Sequence, residues 1–221
     1  MKEAVRVRSL RKQYRRFGLG PLDLDVAPGE VVAVSGANGS GKSTLLLCLA
    51  GMLRPDGGTV EISGRGWPGE SGPAKDRVGF VSDGLKLHPR ESLRWNASLA
   101  ASLGAKKWDA ERFRSLSERL GLVLDERAGA LSRGRTLRAL LALTLARRPD
   151  VLVLDEATAA IDSSMRSSVR RFLRESTRED GVAILFASHL DEDTDDIADR
   201  VLYLEGGSVC RIEERTKEAE R

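Results

Sequence analysis

Short apolar runs alternate with longer amphipathic stretches along this chain. Val31–Ser35, Val78–Val81, Val151–Leu154, Ala183–Ala187 and Val201–Leu204 are near-continuous β-branched or aliphatic runs. Runs of that kind predict strands buried on both faces, the mark of a central parallel sheet. Val5–Val7, Leu22–Val26 and Thr59–Ile62 instead alternate apolar with charged residues. They predict strands with one wet face, in a smaller antiparallel layer. Helical periodicity marks Lys42–Met52, Ser92–Leu103, Asp109–Leu120, Arg133–Ala146 and Ser163–Arg178. Three of these five fall together between Ser92 and Ala146 with hardly a strand signal among them, which predicts a helical arm inserted into an α/β core. Gly64–Pro73, rich in glycine and proline, reads as a loop.

Charge adds little to this picture. The 221 residues carry 36 Lys plus Arg against 33 Asp plus Glu, a formal +3. That balance does not argue for nucleic acid, which calls for a one-sided basic face. The basic run Arg6–Arg16 is assigned to an edge strand, where positive charge discourages further pairing. The acidic run Asp191–Asp199 and the tail from Arg211 read as solvated surface. The longest apolar stretch, Ala139–Ala146, is far short of the roughly 20 residues of a membrane span. The N-terminus has charge without an apolar h-region, so no secretion signal is expected. Cys48 and Cys210 make no disulfide framework and have no metal-spaced partner. A single soluble domain over 1–221 is expected.

Gly36-Ala-Asn-Gly-Ser-Gly-Lys-Ser43 fits G-x-x-x-x-G-K-[ST], just after one predicted strand and opening a predicted helix. Glycines are needed because consecutive backbone N–H groups must turn inward to line a concave anion nest. The helix N-terminus adds positive charge at the same point. Lys42 supplies a full charge to the β- and γ-phosphates, and the Ser43 hydroxyl is suited to Mg²⁺. The pattern predicts a nucleoside triphosphate site.

Far downstream, Val151–Leu154 ends in Asp155 and Glu156, at the kind of strand end where an open α/β sheet places its chemistry. Asp155 suits a hard cation. Glu156 is placed to deprotonate an attacking water. His189 closes the next strand, where an imidazole can donate to the γ-phosphate. His88, before Pro89, is assigned no chemistry.

In this order these residues resemble the nucleotide-binding subunit of ATP-binding-cassette (ABC) transporters, from about Val5 to Glu213. The resemblance implies a P-loop NTPase, RecA-like α/β core over 1–83 and 147–213, a helical subdomain over 84–146, and a tail over 214–221. It implies ATP and Mg²⁺ as ligands. ATP would lie on the Walker A loop, including Gly36, Asn38, Gly39, Ser40, Gly41, Lys42, Ser43 and Thr44. Asp155 would end the Walker B strand, with Glu156 as catalytic base, Lys42 and His189 beside it, and a D-loop at Ala159–Asp162. Tyr14 is favoured over Phe17 as the ring on which adenine stacks.

Two positions depart from the family pattern. The signature, usually Leu-Ser-Gly-Gly-Gln, reads Leu131-Ser-Arg-Gly-Arg135; Ser132 and Gly134 keep the hydroxyl and the Cβ-free backbone for a γ-phosphate held by a second subunit. Where the family has the Q-loop glutamine stands Asp83, a possible Mg²⁺ ligand that adds negative charge near the triphosphate. The expectation is a cytoplasmic ATPase on the inner face of the membrane that powers a transmembrane permease by ATP-driven closure of a homodimer or heterodimer. The permease contact is expected near Asp83–Asn96, with Leu85, Leu87, Leu93 and Trp95. The rivals are a small-molecule kinase, a regulatory, weakly hydrolysing cassette of a heterodimer, and a non-transport ABC ATPase.

Overall fold

The computed structural model describes residues 2–67, 76–103, 108–157, 161–188 and 197–215. Strands β1 (Val5–Gln13), β2 (Gly18–Val26), β4 (Gly57–Ile62) and β5 (Arg65–Trp67) form an antiparallel sheet in the order β2-β1-β4-β5. A six-stranded sheet runs β10-β9-β3-β8-β7-β6, made of β3 (Val31–Ser35), β6 (Val78–Ser82), β7 (Val151–Asp155), β8 (Ala183–Ser188), β9 (Arg200–Glu205) and β10 (Ser208–Glu214). Its pairings are parallel except for β9 with β10. Among the described residues the helices are α1 (Lys42–Leu49), α2 (Leu93–Ser102), α3 (Ala110–Arg119), α4 (Arg133–Leu145) and α5 (Ser163–Asp180).

The near-continuous apolar strands are buried on both faces because the sheet is covered on both. Val32, Val34, Val153 and Leu185 join α1 and the inner face of the antiparallel sheet in one core. Val31, Ala33, Leu152, Leu154 and Ile184 point the other way, into a second core shared with α2 to α5. The period-2 alternation of strand side chains produces this division. β6 differs from its expectation: at the sheet edge, Val78 and Phe80 are only half-buried.

The basic N-terminal strand is not an edge. β1 lies between β2 and β4, and its charges are tolerated because they point to one wet face and find partners there. Arg8 is held by Asp25 at 2.7 Å, Lys12 by Asp56 at 2.9 Å and Arg6 by Glu3 at 2.7 Å. Such solvent-screened pairs add little to stability. Their main role is to make positive charge compatible with an interior strand.

The two cysteines differ sharply. Cys48 is buried inside α1, and desolvation pushes its thiol up to about 11, whereas Cys210 is exposed on β10. At about pH 8 a thiol reagent is expected to titrate one sulfhydryl in the native chain and both after denaturation, because only the thiolate reacts. Reaction of both in the folded chain overturns this placement.

Candidate nucleotide site

The turn from β3 into α1 depends on glycine. Gly36, Gly39 and Gly41 have φ of 149°, 79° and 110°. At Gly36 a Cβ would stand 2.3 Å from the Leu204 carbonyl oxygen, so only glycine fits. Gly41 is the N-cap of α1 and caps it with no side chain, and no acidic residue stands in the first turn. The positive end of α1 therefore faces the loop uncompensated, a ready anion site.

Lys42, 4% exposed, donates from Nζ to the carbonyls of Gly36 (2.8 Å) and Ala37 (3.0 Å). Its ammonium is thus curled inside the loop. Burial pulls its pKa below the ordinary lysine value, partly offset by the charges of Glu156 and Asp155. Ser40 Oγ is buried without a hydrogen-bond partner. An orphaned hydroxyl, a curled buried cation and an uncapped helix end fit the phosphates of a nucleotide. Asn38 and Gly39 are exposed at the loop tip, while Ser43 and Thr44 lie half-buried in the first turn of α1.

Ser43 Oγ donates to Asp155 Oδ1 at 2.9 Å, joining residues 112 positions apart. This contact follows from the topology: β3 and β7 flank β8, so their C-terminal ends share one sheet edge. A hydroxyl and a carboxylate are the oxygen donors Mg²⁺ prefers. Glu156, half-buried, has φ 52°, a conformation costing about 1–3 kcal/mol for a residue with a Cβ. The chain turns abruptly there. β8 reaches the same edge at Ser188, register partner of Ser35. His189 and the first two residues of the expected D-loop, Ala159 and Ala160, lie outside the described residues.

Tyr14 and Phe17 close the β1–β2 turn with ring centroids 6.2 Å apart. Phe17 packs on the phosphate loop, its Cζ 3.0 Å from where a Gly41 Cβ would be, while Tyr14 is 42% exposed. The open ring belongs to Tyr14.

The remaining expected residues gather elsewhere. Ser132 caps α4, accepting from the Arg135 N–H at 3.4 Å. Gly134 is buried, and a Cβ there would meet Met165 Cγ at 2.8 Å, so any side chain would have to displace Met165. Arg133 is exposed. Arg135 is folded away, its guanidinium gripping Glu126 through both terminal nitrogens. No sequence signal marks Glu126, which precedes the helical pattern by several residues. Asp83 is exposed just past Ser82, the register partner of Asp155. It also lines a cleft of about 250 Å³ with Leu85, Leu87, Leu131 and Arg133. Of the expected contact residues, Leu93 is fully buried beneath the helices and Trp95 is 40% exposed, edge-on to His88.

The family model for ABC transporters matches residues 19–159, which include the loop and the Asp155 strand. The chain belongs to the ABC transporter family. This cassette is 36% identical over 217 residues to a sulfate/thiosulfate import ATP-binding protein of Caulobacter vibrioides, covering 94% of the chain and 64% of the relative. It is 37% identical over 208 residues to a methionine import ATP-binding protein of Mesorhizobium japonicum, covering 88% and 57%. It therefore spans about 57–64% of the length of these curated relatives. Among solved structures, a cassette of a transporter complex from Clostridium perfringens superposes with a TM-score of 0.84 at 25% identity, covering 97% of this chain and 89% of that one. A dimeric cassette with ADP and Pi bound superposes with a TM-score of 0.83 at 24% identity, covering 95% and 98%. The P-loop cassette fold is shared with both.

Proposed function

We propose that this cassette binds and hydrolyses ATP and transmits the resulting dimer opening and closing to a separate membrane permease. The Ser43–Asp155 contact carries the reading. It joins the phosphate loop to the Asp155 strand end at one sheet edge. ATP enters with Lys42 leaving the Gly36 and Ala37 carbonyls for the β- and γ-phosphate oxygens, and with the loop amides and the α1 N-terminus receiving the rest of the charge. Ser43 and Asp155 would hold Mg²⁺, which supplies charge neutralisation on the triphosphate when bound. Glu156 takes a proton from water; the water oxygen bonds to the γ-phosphorus as the bond to the β–γ bridging oxygen breaks, releasing ADP and phosphate. Tyr14 offers its face to adenine, and His189 remains a candidate donor to the γ-phosphate.

Each nucleotide lies between one phosphate loop and the other subunit's Ser132–Gly134 turn. The relatives named for sulfate/thiosulfate and methionine import favour an import system. No helix among the described residues is long and apolar enough to cross a membrane. The proposed partner is a separate permease, with the cassette on its cytoplasmic side.

Glu156→Gln with ATP and Mg²⁺ is expected to double in mass by size-exclusion chromatography with light scattering. A strict monomer at high protein concentration, converted to a dimer by Arg133→Gly, would assign the natural trans site to a different partner chain. That outcome favours the heterodimeric reading.

A further inference from the structure

The signature's last residue, arginine where the family has glutamine, is joined to Glu126 by a two-pronged ion pair, one prong at 2.7 Å. Both side chains are part-buried. The pairing has an electrostatic reason. α4 opens with Arg133 and Arg135 and has no acidic residue in its first turn, so two cations sit at the positive end of a helix dipole. Glu126 neutralises one of them from outside the helix.

Glu126 itself is not free to move. The strip 124–129 is zipped to the segment 89–94 by backbone hydrogen bonds. The N–H groups of Leu93 and Arg94 donate to the carbonyls of Glu126 (3.0 Å) and Leu124 (2.8 Å). Those of Ala128 and Gly129 donate to Glu91 and Pro89, both at 2.9 Å. Arg94 adds a fork onto Asp125 at 2.8 and 3.0 Å. Asn96 anchors the same segment, accepting the His88 N–H at 2.7 Å. One continuous set of bonds thus runs from the rim beside Asp83–Pro89, through 124–129, to the first turn of α4.

We propose that Arg135 is a positioning residue: its ion pair with Glu126 is a strut that fixes the Ser132–Gly134 turn against the 88–96 segment. The inference rests on the proposed hydrolytic reading, in which that turn meets a second subunit's nucleotide. Glutamine has one donor group and no charge, so it cannot reproduce a forked, charge-assisted grip. The strut therefore belongs to this chain's altered signature, and explains how Arg135 is accommodated there. Movement of the 88–96 segment is passed to α4 through Glu126 instead of being absorbed in a slack loop.

The test compares wild type, R135Q, E126Q and the charge-exchanged double variant E126R/R135E. Each is measured for ATP turnover, affinity for a fluorescent ATP analogue, melting temperature, and amide exchange over residues 124–137. Each single variant is expected to lower kcat about tenfold, with analogue affinity within about twofold, since directly contacting groups couple strongly. Exchange over 132–137 rises in the single variants, and the double variant recovers kcat to within about threefold of wild type. Unchanged kcat in R135Q overturns the strut, as does a folded double variant no better than the singles. Failure of the wild-type chain to hydrolyse ATP sinks the functional reading instead. The exchange data then decide alone: unaltered protection of 132–137 in R135Q overturns the proposal.

Discussion

Glu156→Gln is expected to keep ATP binding and lose turnover by about 10²–10⁴-fold, the usual range for removing a general base. At about 1.36 kcal/mol per decade this is about 2.7–5.4 kcal/mol of barrier. The substitution isolates the proton-accepting step because glutamine matches glutamate in shape and has the same difficulty with φ 52°. Backbone strain is therefore equal in the two proteins, and a stability change cannot imitate the loss. Ser43 and Asp155 keep their 2.9 Å contact and Lys42 its place, so a fluorescent ATP analogue should bind as before. Initial-rate phosphate release at saturating ATP checks the expectation. A loss smaller than about fivefold in an active preparation moves catalysis away from Glu156, with His189 the next residue to replace.

The sheet edge that unites Ser43, Lys42, Asp155 and Glu156 was legible in the sequence because it rests on strong local signals. Buried parallel strands give unbroken apolar runs, and the glycine-lysine-serine turn has few alternative uses. The five helices also lie within a few residues of their expected limits, and four of them open on a side-chain cap: Ser92, Asp109, Ser132 and Asp162 all accept a first-turn N–H. What escaped did so for physical reasons. β1 was readable only to Val7 because a bulge at Ser9, φ 48°, breaks the alternation before Leu10 resumes it. β2 was readable only from Leu22 because Gly18-Leu-Gly-Pro21 has the composition of a turn. β5 is three residues long inside a glycine-rich stretch. β10 is an edge strand wet on both faces, so its residues read as a solvated tail. The Arg135–Glu126 grip was invisible for another reason: it is an ion pair between a helix and a loop, and no periodicity records it.

Lys42→Ala is expected to separate binding from stability. In the folded chain the Lys42 ammonium is buried against two carbonyls, and desolvation lowers its pKa below the ordinary lysine value. The sign follows directly. A cation whose folded pKa is depressed costs stability at every pH below that value, and the cost fades as pH rises from the folded pKa toward the unfolded one. Removing it at neutral pH should therefore leave the nucleotide-free chain melting no lower than wild type, provided the small cavity left by the stem is shared with the loop. The same change removes the only full positive charge that the loop offers to phosphate. Wild type at a hundredfold excess of ATP over Kd gains about 2.7 kcal/mol, or roughly 5–10 °C in melting temperature for a chain of this size. Lys42→Ala should show no ATP-induced shift and no turnover, with its unliganded melting temperature intact. Scanning fluorimetry with and without ATP and Mg²⁺ reads both halves at once. A normal ATP shift in the variant would remove the nucleotide from this loop, and a collapsed unliganded melt would make Lys42 a structural residue instead of a buried charge held ready for phosphate.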